Sequence, residues 1–114
     1  MSLLADLNLI LAPFDIPVET GVFSDIPSDD YLVLTPMSDR LDLFADNDAY
    51  MIVSEARISL FTKNNYVQLK EDLTKALQLG GITITDRQYV DYEQDTKFHH
   101  YAIDVMKEYE MEEN

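Results

Sequence analysis

Residues 50–81 read YMIVSEARISLFTKNNYVQLKEDLTKALQLGG, and the period of the apolar positions changes midway through them. Over Tyr50–Thr62, Ala56, Ile58 and Leu60 fall on one side of an extended chain, while Glu55, Arg57, Ser59 and Phe61 fall on the other. That period of two marks a strand with one apolar and one mixed face. From Tyr66 onward the apolar positions are Tyr66, Leu69, Leu73, Ala76 and Leu77, the spacing of a helical stripe. Asn64 or Asn65 supplies the N-cap, and Gly80 with Gly81 closes the helix after Leu79. A long strand that feeds a capped helix excludes an all-α or all-β chain.

Working outward, Ile82–Tyr92 and Phe98–Tyr109 read as two strands around the turn QDTK, with Tyr101, Ile103 and Val105 on a shared face. At the other end, Ser2 caps a short helix within residues 1–12. Its apolar stripe is Leu3, Leu4, Leu7, Ile10 and Leu11, and Pro13 stops it. Docking and core packing are both open roles for this helix. Val18–Phe23 and Tyr31–Thr35 are short β-branched and aromatic runs flanking SDIPSDD, which predicts a hairpin. Residues 37–49 (MSDRLDLFADNDA) break the alternation and are expected to form an acidic surface loop, and residues 108–114 an acidic C-terminal tail. The order predicts one α+β domain over residues 1–114. Its core is a single largely antiparallel sheet, with a mixed sheet as the alternative, and two helices packed on one face.

Composition narrows the function. The 114 residues are 46% hydrophobic, too apolar for a disordered acidic tail, and no apolar run approaches the ~20 residues of a membrane span. The net charge of −14 opposes phosphate binding, which requires clustered Lys and Arg. With no cysteine, disulfides, thiolate chemistry and Cys-based zinc sites are excluded. The N-terminus has no basic n-region and Asp6 interrupts its apolar stretch, so it does not read as a signal peptide; assembly in a cytoplasm is the expectation. The charge is also uneven. Residues 1–39 carry −7 with no base, residues 40–107 hold eleven acids and all eight bases for −3, and residues 108–114 carry −4.

Catalytic and metal chemistry find little support. His99 and His100 are neighbours in a strand, so their side chains point to opposite faces and do not chelate one ion. The Asp42, Asp46 and Asp48 run has the composition of a calcium loop without its glycine or its twelfth-position Glu. Glu93 and Asp95 sit beside a turn with no apolar pocket patterned around them. Three glycines make no phosphate cradle, and none of Ser24, Ser28, Ser38, Ser54 or Ser59 lies in a nucleophile elbow. The expectation is a protein that is not an enzyme and takes no cofactor or metal. Tyr89, Tyr92, Phe98, Tyr101 and Tyr109 are expected in cross-strand pairs, or at an interface on a sheet face the helices leave bare.

Four stretches then resemble the small tail-completion, or tail-terminator, proteins of long-tailed bacteriophages and prophages. They are YLVLTPMSDR at Tyr31–Arg40, ADNDAYMIVSEARISLFTKNNY at Ala45–Tyr66, LKEDLTKALQLGGITIT at Leu69–Thr85 and DYEQDTKFHHYAIDVMKEYEME at Asp91–Glu112. The resemblance runs from about Pro17 to Met111. It implies a virion protein, assembled in the host cytoplasm, that forms a ring, commonly a hexamer, on the end of the finished tail tube. It further implies the tail tube protein and the head connector or stopper as partners, and no catalysis.

Six copies at −14 each would bring together about −84 charges, a field that favours contacts through the near-neutral middle of the chain. The expected subunit contacts are therefore the 37–49 segment and the outer face of the long strand. Arg40 and Arg57 would offer bidentate bonds to a neighbour's carboxylates, Phe44 and Phe61 apolar area, and Asp42 and Asp46 acidic partners. Acids of the termini or of the 37–49 segment would line the lumen, letting DNA pass without sticking. Two rivals stand beside this reading: an acidic nucleic-acid mimic or inhibitor that binds a basic protein cleft, and a head–tail stopper.

Overall fold

The computed structural model describes residues 2–21, 29–43 and 50–110. Helix α1 (Leu3–Leu11) runs into a 3-10 turn at Ala12–Phe14; β1 (Val18–Thr20), β2 (Asp30–Leu43) and β3 (Tyr50–Thr62) follow. Helix α2 (Tyr66–Leu79), β4 (Thr83–Glu93) and β5 (Phe98–Glu110) complete the chain. The strands form one mixed sheet in the order β1-β2-β3-β5-β4, and all pairings but β1 with β2 are antiparallel. The fold is α+β, as the period change over residues 50–81 predicts.

Both helices lie on one face. Leu3, Leu7 and Leu11 of α1 and Leu73 and Leu77 of α2 bury against Leu32, Leu34, Ala56, Ile58, Leu60, Ile103 and Val105 of the sheet. Local signals fix the helix ends. Ser2 Oγ accepts from the Ala5 amide at 3.1 Å, and Asn65 Oδ1 accepts from the amides of Val67 and Gln68 at 3.0 and 3.3 Å. At the far end of α2, Gly81 takes φ +82°, its amide donates to Gln78 and the Ile82 amide donates to Leu77 at 2.9 Å. This is a Schellman closure, and its apolar pair, Leu77 with Ile82, sits in the core. Gly80 lets α1 approach closely, because a Cβ there would have to displace the Ile10 side chain.

Three expectations are corrected. First, Val18–Thr20 and β2 do not form a hairpin but pair in parallel, with Val18 opposite Leu32 and Thr20 opposite Leu34. Parallel strands, unlike a hairpin, need a returning connection between them. Second, the expected 37–49 surface loop is strand as far as Leu43, while residues 44–49 lie outside the described residues. A β-bulge at Met37 accounts for the broken alternation. Before it, Leu32, Leu34 and Pro36 pair with Leu60, Ile58 and Ala56 on the helix side; after it, Asp39 and Leu41 pair with Ser54 and Ile52 on that side. One inserted residue moves the apolar set from even to odd positions. Third, within the expected acidic tail 108–114, Glu108, Tyr109 and Glu110 belong to β5; residues 111–114 lie outside the described residues.

Helix α1 is held by more than apolar contact. Asp6, which breaks the apolar run of the N-terminus, is buried and accepts hydrogen bonds from Tyr109 Oη at 2.5 Å and Lys107 Nζ at 3.2 Å. The Tyr109 hydrogen bond and the Lys107 charge hold the Asp6 carboxyl below its ordinary pKa, whereas burial and the Asp6 charge push the Tyr109 phenol up.

Candidate functional site

The sheet face opposite the helices has no covering element among the described residues. It is organised in rows across β2, β3 and β5. Tyr31, Phe61 and His100 occupy directly opposed positions, and their rings stack across the sheet. Ring centroids are 4.7 Å apart between Tyr31 and Phe61 and 4.2 Å between Phe61 and His100. Phe98 meets Tyr31 edge-on at 5.2 Å, and Lys63 Nζ lies 4.9 Å over the Phe98 ring. The buried His100 Nε2 has no hydrogen-bond partner among the described residues, and burial pushes the imidazole below its ordinary pKa.

Further along the same face Arg57 and Asp104 oppose each other. Arg57 Nε donates to Oδ1 at 2.7 Å and Nη2 to Oδ2 at 3.0 Å, a two-bond fork that raises the guanidinium pKa. Beyond it, Ser38 Oγ and Arg40 Nη1 donate to the two oxygens of Glu55 at 3.1 and 2.8 Å, and hold that carboxyl below its ordinary pKa.

The residues expected to make subunit contacts therefore divide. Arg40, Arg57 and Phe61 are brought onto one uncovered face, but each engages a partner of its own chain: Glu55, Asp104, and the Tyr31 and His100 rings. Asp42 is in β2 opposite Met51, and nothing of its side chain is described. Phe44 and Asp46 lie outside the described residues. The Arg57–Asp104 link spans 47 positions of sequence, so no local pattern announces it.

His99 and His100 do face opposite ways. His99 joins Tyr66, Tyr89 and Tyr92 on the helix side, where its Nδ1 lies 2.9 Å from Tyr89 Oη. Among the described residues no group of three or more His, Asp or Glu is placed to hold a metal ion, and no helix is long and apolar enough to cross a membrane.

A second surface was not foreseen from sequence. Past Thr20, β1 no longer covers the edge of β2, and the sheet continues as a three-stranded arm of β2, β3 and β5. A cleft of about 230 Å³ lies between this arm and the start of α1, lined by Leu3, Leu4, Pro36, Asp39, Ile52 and Tyr109 among others. Met37 and Leu41 stand exposed on the arm, at 53% and 62%. The signal was present in the resumed alternation Asp39, Leu41, Leu43, shifted by the one bulged residue.

No family model and no curated protein matches the chain. Among solved structures it is similar to a chain from the virion of the native gene transfer agent (GTA) particle, with a TM-score of 0.51 and 9% identity. The match covers 90% of this chain and 85% of that one. At this identity the likeness is one of fold alone.

Proposed function

We propose that this protein is a structural component of a phage-type particle, acting by assembly rather than catalysis. In this reading several copies form a ring, most simply a hexamer, that closes the end of the tail tube and meets the head connector. It works in the virion tail after assembly in the host cytoplasm. The observation that carries the reading is the full-length likeness of fold to a chain of a virion-type particle. Two features of the molecule suit it. One sheet face has no covering element among the described residues and carries an aromatic row and two ion pairs made within the chain, Arg57 with Asp104 and Arg40 with Glu55, which a neighbour could cover without stranding either arginine. The acid excess discourages retention of DNA passing through a lumen.

Pelleting the protein with sheared and unsheared tail tubes of the same total mass tests this. Binding that rises with the number of tube ends supports termination. Binding that follows total tube length, or none at all, overturns it.

A further inference from the structure

The helical layer and the sheet differ in length. Helix α1 begins at Leu3, over the base of the three-stranded arm, and no helix among the described residues lies over the arm beyond it. The helix-side surface of the arm therefore carries exposed Leu41 beside the apolar cleft. At the opposite end of the same layer, α2 finishes in Leu79, exposed at 90%, and Leu9 of α1 is exposed at 69%. Leu9 and Leu79 each adjoin one member of the Ile10–Gly80 contact, so one corner of the layer is a convex apolar knob.

Charges match across these two surfaces. Lys75 lies one turn before Leu79 on the outer side of α2, exposed, and makes no ion pair or ring contact among the described residues. Asp39, at the cleft, accepts from Ser54 Oγ through Oδ1 at 2.6 Å, and no donor to its Oδ2 is found among the described residues.

We propose that the arm cleft of one copy receives the Leu79–Lys75 corner of a second copy, Leu79 against Leu41 and Lys75 against Asp39. The contact is heterologous: each copy offers a knob at one end and a cleft at the other, the arrangement that closes into rings. The neighbour's helical layer then continues over the bare arm. This inference rests on the ring reading and adds which surfaces meet.

Light scattering and native mass spectrometry of purified protein, alone and on tail tubes, test it. Wild type is expected as a ring; Leu79→Arg and Leu41→Arg, both at exposed positions, are each expected to fall to the 13.1 kDa of a single chain that keeps the far-UV circular dichroism of wild type and still melts cooperatively. Lys75→Glu and Asp39→Lys each shift the equilibrium toward monomer at least tenfold, and together restore the ring. A mixture of Leu79→Arg with Leu41→Arg retains one intact knob and one intact cleft, so it forms dimers and nothing larger. Rings that persist in both leucine variants overturn the contact while the ring reading stands. Wild type that never rings, in solution or on tubes, overturns both.

Discussion

Asp6, His100 and Arg57 show what single side chains contribute. Asp6 has its carboxyl pKa depressed below the ordinary 3.8, so the stability it adds is present above that pH and is lost as pH falls through the lower folded value. Asp6→Asn should therefore lower the urea midpoint at pH 7, and the gap from wild type should begin to narrow only below pH 3.8, as the folded carboxyl takes up its proton. His100 is the opposite kind of group. Its folded pKa lies below 6.5, so it is held neutral, and wild type loses stability as pH falls from 6.5 toward that value. His100→Phe keeps the stack on Phe61 and removes the titration. Melting curves at pH 7.5 and 5.5 should show a drop for wild type that the variant lacks. Arg57→Ala strands the half-buried Asp104; with Arg57 itself 37% exposed, solvent screening limits the cost to about 1–2 kcal/mol by urea unfolding.

Elements were legible where their signals are local. Helix α2, β3 and the β4–β5 hairpin follow from caps, alternation and a turn, each contained within a few residues, and the structure places them within a residue or two of those signals. Asn65→Ala should cost about 1 kcal/mol in thermal unfolding, because two amides of the first turn lose their acceptor. The two elements that sequence misjudged depend on information elsewhere in the chain. The direction of β1 is set by its fit beside β2, and the second half of β2 was hidden by one bulged residue, Met37, that reversed the faces. Deleting Met37 should remove the bulge and join the two registers, Pro36 with Ala56 and Ser38 with Glu55, leaving Leu41 on the helix side and Ser38 and Arg40 beside Glu55. The melting temperature of the deletion is therefore expected to stay close to that of Met37→Ala, which removes only a half-exposed side chain.

At the scale of the whole molecule, charge and shape point the same way. The chain measures 53 × 25 × 23 Å with a radius of gyration of 15.6 Å, against about 13 Å for a compact domain of this length. An elongated, strongly acidic chain with a sheet face that no element covers among the described residues suits the proposed role as one unit of an assembly. For the interface candidates read from sequence, alternation put Arg57 and Phe61 on one strand face; the structure adds Arg40, expected in a loop, to that face and shows each of the three engaged within its own chain. The most direct measurement is negative-stain imaging of tail tubes incubated with the purified protein. The account predicts a ring of this protein on one end of each tube. Bare ends at saturating protein, or protein distributed along the tube wall, would contradict it.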